Sequence, residues 1–337
     1  MILVTGATGI LGRVIVLELL KRGKTVRAAK RKSSNLEEVK KSFGFYTENP
    51  DEFFNKIEWI NVDFEDIYSL QKALVGVEEV YHCAAKVSFH PKDKRKMYQT
   101  NINGTKQLLY ASENSSVKKF LFVSSIAVLD GFNENGELDE SSDFNPKVDH
   151  SSYAISKHFS EMEVWRSSAE GLKVAIVNPG LIIGSGNWNE SSGTLFKELG
   201  ENAFTFSGGT SYVDVRDVAK ISVELMENNI FGERFILISE NKKYEAIANF
   251  IKQKLGKPAT KIVPNGLLKV GVFLNSILGW LISPLKMANK VNVQSVTEFN
   301  KISNKKIKEK LNYEFISVEE SLAFHLENYL KRKEVGS

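Results

Sequence analysis

"VTGATGILGRV", residues 4–14, decides how the rest of the chain is read. It continues the β-rich run that opens the chain and leads into "GRVIVLELLKRG", residues 12–23, where Val14, Leu17 and Leu20 fall near one helical face and Gly23 follows as a stop. Strand, glycine-rich turn and helix therefore follow one another. Gly6, Gly9 and Gly12 stand at the strand end and helix start. Glycine there lets the backbone turn tightly, lets a pyrophosphate approach, and lets helix and strand pack closely. The helix N-terminus adds free N–H groups and a partial positive charge. The spacing is GxxGxxG, a weak motif alone, and the strand before and helix after give it weight. The expectation is a dinucleotide site over Thr5, Gly6, Thr8, Gly9, Ile10, Leu11 and Gly12.

Outward from this turn, two periods alternate. Short β-rich runs recur at "TVRAAKR", "IEWINVDF", "EEVYHCAA", "KKFLFVSS" and "KVAIVNP", with helical stretches such as "QTNINGTKQLLYASENS" and "YAISKHFSEMEVWRSSAEG" between them. Strands alternating with helices imply parallel βαβ units and a doubly wound α/β sheet. After Pro179 the rhythm breaks into Gly, Asn and Ser, resumes over "SYVDVRDVAKISVELMENN" and "ERFILIS", and becomes mainly helical from about 243. The predicted organisation is a dinucleotide-binding domain over 1–178 and about 211–240. A smaller, mostly helical substrate lobe takes about 179–210 and 241–337.

Composition narrows the function classes. Of 337 residues, 42% are hydrophobic and 26% charged, ordinary for a globular chain, and a net charge of +4 does not demand nucleic acid as partner. The single cysteine, Cys83, allows no internal disulfide. It sits in an apolar run, so buried packing is its expected role, and the protein is expected in the cytoplasm. Five histidines without HExxH or Cys/His spacing give no metal site. The opening is too short and glycine-rich for a signal sequence. Residues 267–285 are apolar with one charge, Lys269, but broken by glycines, an asparagine, serines and a proline. An amphipathic or buried helix over a substrate pocket is the favoured reading, a membrane-surface contact the second, and a span the last.

The second strand ends in "VRAAKRKSSN". An NAD site normally carries Asp or Glu there for the ribose hydroxyls. Here Lys30, Arg31, Lys32 and Ser33 stand instead, and a guanidinium fork suits a 2′-phosphate. NADP(H) is therefore favoured over NAD(H), with Arg31 the first choice for the contact and Ser33 the second.

"SSYAISKH", residues 151–158, sets Tyr153 four residues ahead of Lys157, one helical face. Alone this is a common coincidence. A free tyrosine is a poor base at neutral pH, and a nearby ammonium favours the phenolate. A serine hydroxyl can bond the same substrate oxygen.

The ordered set TGxxGxxG, "VDFED", "HCAA", "TNINGT", "VSS", YxxxK, "NPG" and "YVDVRDVA" spans about residues 1–240. In that order it resembles the extended short-chain dehydrogenase/reductase superfamily, which includes NAD-dependent epimerase/dehydratase-like proteins. The likeness is strongest to its dihydroflavonol-reductase-like and 3β-hydroxysteroid-dehydrogenase-like branches. The resemblance implies a Rossmann fold and roles for individual residues. Asp63 and Phe64 would border the adenine. Ala84, Ala85 and Lys86 would line the adenosine and pyrophosphate path, and Asn101 would brace the active-site backbone. Ser125 would be the catalytic serine with Ser124 beside it, completed by Tyr153 and Lys157. Pro179, Gly180 and Leu181 would flank the nicotinamide, and a homodimer would be usual.

The expected activity is an NADP(H)-dependent oxidoreductase acting on a secondary alcohol or ketone, its small-molecule substrate hydrophobic or ring-containing. Trp188, Phe196, Phe204, Phe206 and Tyr212 could line its pocket or simply form core. Arg216 could face an anionic group or solvent. A sugar-nucleotide epimerase or dehydratase is the alternative, and a non-enzymatic dinucleotide-binding sensor or scaffold a third reading.

Overall fold

The computed structural model describes residues 1–188, 191–278 and 286–335. The first half runs β1 (Ile2–Thr5), α1 (Ile10–Lys21), β2 (Val26–Lys30), α2 (Leu36–Phe43), α3 (Pro50–Asn55), β3 (Glu58–Asn61), α4 (Ile67–Leu74) and β4 (Glu79–His82). It continues through α5 (Lys94–Tyr98), a π-helical turn (Gln99–Asn103), α6 (Gly104–Glu113), β5 (Lys119–Val123), α7 (Ser152–Ala169) and β6 (Lys173–Pro179). Next come β7 (Leu181–Ile183), α8 (Leu195–Glu201), β8 (Phe204–Thr205), β9 (Gly209–Asp214), α9 (Val215–Glu227), β10 (Glu233–Leu237) and β11 (Glu240–Lys243). The chain ends with α10 (Tyr244–Lys254), β12 (Lys261–Ile262), α11 (Asn265–Leu278), α12 (Lys290–Thr297), α13 (Lys305–Leu311) and α14 (Val318–Val335).

Seven parallel strands form the main sheet in the order β10-β6-β5-β4-β1-β2-β3. Strand side chains alternate between its faces. Ile2, Val4, Ala175 and Val177 enter a core with α1 and α9, while Leu3, Val174 and Ile176 enter one with α4, α6 and α7. Both faces are covered, which is why these strands are nearly continuously apolar. Strand order reverses between β1 and β4. Crevices for ligands form beyond the carboxyl ends of strands at such a switch point, and all the residues of the candidate site gather there.

Of the stretch 211–240, α9 and β10 join this layer, but β9 does not. It pairs with β7 and β11 in a separate three-stranded sheet. That sheet carries a third core, in which α8, α10 and α14 pack. The second lobe is fastened by a buried polar cluster. Asp214, capping α9, accepts hydrogen bonds from Ser321 Oγ at 2.7 Å, His325 Nε2 at 3.2 Å and Arg216 Nη2 at 2.7 Å. His325 Nδ1 lies 2.7 Å from Ser185 Oγ, to which Asn328 also donates. Burial keeps His325 below its ordinary pKa. Desolvation opposes ionisation of Asp214, yet the bonds from Arg216 and His325 hold its carboxyl well below the usual range.

Candidate active site

The β1–α1 turn is shaped by close approach. Gly6 has a φ of +65°, and a Cβ there would meet Ala84 N at 2.7 Å. A Cβ on Gly12 would lie 2.2 Å from Gly6 O. At Gly9 the nearest atom would be 3.2 Å away, so that position stays open toward the cleft. No side chain caps α1, which leaves its first N–H groups for an anion. A cradle that Cβ atoms would fill, at an uncapped helix start, fits a dinucleotide pyrophosphate. Arg13, fully buried, braces the turn from behind: its guanidinium donates to the carbonyls of Thr8 and Gly9 and clamps Glu38 at 2.8 Å on both oxygens.

A cleft of about 2630 Å³ starts at this turn. Of the residues expected to catalyse or to hold the cofactor, all but Thr5 and Asn101 line it. Those two stand behind its wall. Thr5 Oγ1 holds His82 Nδ1 at 2.7 Å and accepts from Ala84 N, and His82 Nε2 meets Thr105 Oγ1 at 2.9 Å. Burial pushes His82 down to about 3, so the ring is neutral. Asn101 sits in the π-helical turn. Its Nδ2 donates to Lys86 O and Ser156 Oγ, both at 2.9 Å, while its Oδ1 accepts from Lys86 N at 2.7 Å. It thereby fixes the loop after β4, at Lys86, against α7.

At the far end, Arg31, Lys32 and Ser33 are exposed on the cleft rim. Lys30 is tied to Asn61 at 2.7 Å. Among the described residues no acceptor takes the Arg31 guanidinium; its backbone N–H donates to Ser34 Oγ and its carbonyl accepts from Ser34 N. Asp63 Oδ1 accepts from Glu65 N in a tight turn, and Phe64 packs beside His82 and Gly104.

Ser124 and Ser125 follow β5 and diverge. Ser124 is buried and donates to Glu161 Oε2 at 2.6 Å. Ser125 caps the next turn, its Oγ accepting from Ala127 N at 3.1 Å, and shares the cleft wall with Tyr153. Tyr153 opens α7, capped by Ser151, with Phe89 packed edge-on at 5.9 Å. Burial pushes its phenol above the ordinary value, and Ser125 pulls it partly back. The ammonium of Lys157 donates to Val123 O at 2.6 Å and lies 4.3 Å over the Phe122 ring. Burial lowers Lys157 to about 8, opposed by the Glu161 carboxylate. The expected lowering of the tyrosine by this lysine is therefore not what dominates here; desolvation is. Cys83, half-buried on the same wall, is pushed up to about 12 by burial and stays a thiol.

Glu161 continues the face of Tyr153 and Lys157 by one more turn. Besides Ser124 it accepts from Asn178 Nδ2 at 3.2 Å and Arg234 Nη1 at 3.3 Å. Asn178 in turn donates to Ser125 O at 3.1 Å, so this carboxylate underpins the whole serine strand end. Its spacing of four from Lys157 was the signal available in the sequence. Arg13 and Arg234 offered none, because their carboxylate partners, Glu38 and Glu161, are distant along the chain.

Pro179, Gly180 and Leu181 cross from the main sheet to the second, where a Cβ on Gly180 would lie 2.4 Å from Ser211 O. The aromatic pocket reading needs correction. Trp188, Phe196 and Tyr212 are buried in the third core, and Phe204 is exposed away from the cleft. Of these five aromatics, Phe206 alone lines the cleft. Arg216 does not line the cleft: it forks onto Asp214 and stacks over Phe324 at 4.1 Å, with its side chain partly exposed. The start of the 267–285 segment forms α11, with residues 279–285 outside the described ones. Among the described residues no helix is long and apolar enough to cross a membrane, and no cluster could hold a metal ion.

The NAD dependent epimerase/dehydratase family matches this chain over residues 2–237. A relative from Methylococcus capsulatus, sterol demethylase protein B, is 29% identical over 81% of this chain and 80% of its own length. Cinnamoyl-CoA reductase 2 of Medicago truncatula is 31% identical over 69% of this chain and 70% of its own. The crystal structure of gox2253 superposes with a TM-score of 0.83 at 24% identity, covering 98% of both chains.

Proposed function

The chain belongs to the NAD dependent epimerase/dehydratase family, and from that premise we propose that it is an NADP(H)-dependent reductase of a ketone carried by a hydrophobic or ring-containing substrate. One observation carries the reading: Ser125, Tyr153 and Lys157 share a cleft whose other end is the glycine turn and Arg31, whose guanidinium no described residue engages. A nicotinamide dinucleotide, when bound, supplies the hydride. Tyr153, kept protonated at neutral pH by its burial, donates its proton to the carbonyl oxygen. Ser125 donates a hydrogen bond to the same oxygen and orients it. Lys157 holds the nicotinamide ribose, and Asn101 keeps the backbone at Lys86 in place. Arg31, with Ser33 beside it, meets the 2′-phosphate, while Asp63 and Phe64 border the adenine.

A raised phenol pKa favours the acid role, hence reduction over oxidation. The two curated relatives carry names that refer to a sterol and to a cinnamoyl group. A homodimer remains part of the proposal. The test is NADPH consumption over a panel of apolar, ring-bearing ketones. Tyr153→Phe should lower kcat by about 10²–10⁴-fold and leave NADPH binding intact. Turnover of a sugar nucleotide without net NADPH consumption would replace this reading with the epimerase one.

A further inference from the structure

We propose that the face built around α11 docks on an anionic lipid bilayer surface. Leu267, Val270, Phe273 and Leu274 are 63%, 52%, 63% and 39% exposed. At a helical turn of 100° per residue they occupy an arc of about 120°. Four large apolar side chains aligned on one exposed helix face are unusual for a globular surface and mark an interaction site.

The charge around this face is one-sided. From 246 to 297 the sequence carries seven lysines and no Asp or Glu, more positive charge than the +4 of the entire chain, so the remainder is net acidic. Lys252 is buried, but Lys254, Lys257, Lys261, Lys269 and Lys290 are exposed. Asp149 meets this basic run from elsewhere, 3.8 Å from Lys290 and both well exposed, while Glu198 and Glu298 line the cleft with Leu268 and Met287. An apolar helix face among lysines suits a helix lying in the headgroup layer. Each lysine near an anionic surface strengthens partitioning about fivefold. A second copy is the poorer occupant. A two-fold contact sets a patch against itself, and would bring these lysines against their own counterparts.

The same segment borders the cleft. Leu268 of α11 and Met287 line it, as do the exposed rings of Phe89 and Phe206. At 100° per residue Leu268 lies about 160° from the middle of the exposed arc, so one side of α11 borders the cleft and the other is the docking face. The docking does not rest on the proposed reductase reading.

The full chain is sedimented with phosphatidylcholine vesicles, with and without phosphatidylglycerol. Expected is binding at least tenfold stronger to the anionic vesicles, weakened at about 0.5 M salt, where screening is short-ranged. Leu267→Asp with Val270→Asp should cut that binding at least tenfold while NADPH binding and thermal unfolding stay as in the parent. Absence of binding to anionic vesicles overturns the proposal, as does binding that the double variant leaves unchanged. A parent dimer that the variant turns into a monomer assigns the face to a second copy instead. None of these readouts depends on turnover, so failure of the reductase reading would be seen separately.

Discussion

Arg31 and Lys157 are both cations in one cleft, and they sit in opposite environments. Arg31 is exposed on the rim with its guanidinium unengaged by the described residues. Charge-assisted hydrogen bonds contribute about 1.5–3 kcal/mol, so Arg31→Ala should weaken NADPH about 10–100-fold in a fluorescence titration and leave NADH within twofold. Equal loss for both would deny the 2′-phosphate contact. Lys157 is buried, and its pKa falls from 10.5 to about 8. Between those values the unfolded chain holds a proton that the folded one has released. The residue thus costs stability below pH 8, and the cost is relieved as pH rises toward the unfolded value. Its charge is lost over the same range. The kcat/KM for reduction should fall above about pH 8, a limb that reports the free enzyme. Glu161→Gln removes a charge that raises the lysine, and should move that limb to lower pH. A limb that stays in place would show that another group sets it.

At the scale of elements, the glycine turn makes a differential prediction. Gly12→Ala sets a methyl 2.2 Å from a backbone oxygen, whereas Gly9→Ala meets one at 3.2 Å. The first should cost about 1–3 kcal/mol of stability and most NADPH affinity. The second should spare stability while still crowding the phosphates. Thermal unfolding beside titration separates the two. This turn was readable from sequence because strand, glycines and helix are contiguous. The main sheet was readable for a similar reason, its β and α periods alternating along the chain. The second sheet was not. β11, "ENKK", is a polar run with no strand pattern, paired to β9 only through the fold. The aromatics Trp188, Phe196 and Tyr212 read equally as pocket or core. What settles them as core is packing with Tyr329, far along the chain. Likewise YxxxK named Tyr153 and Lys157, but not the direction in which the ammonium points.

In the whole molecule, two lobes are joined by carboxylates three residues apart with opposite responses to acid. Burial raises Asp217 to about 6, against hydrogen bonds from Tyr313 and Ile316. Its proton binds the folded state more tightly, so it adds stability as pH falls through 6. Asp214 is held well below the carboxylate range, so its contribution is present at neutral pH and is lost on strong acidification. Asp214→Asn breaks a buried ionic cluster and should destabilise the protein by about 3–5 kcal/mol at neutral pH, measured by chemical denaturation. A loss below 1 kcal/mol would mean the neighbouring hydrogen bonds carry the junction.

The fastening of Asp214 also has a timetable. Its partner His325 is 111 residues further along. At about 5–20 residues per second, the ribosome makes Asp214 roughly 5–20 s before it makes His325. Throughout that interval the dinucleotide-binding strands β1 to β6 already exist, while the carboxylate that joins the lobes has no imidazole to meet. The nascent chain is therefore most open to chaperones and proteases late in its own synthesis, when most of the enzyme is already made.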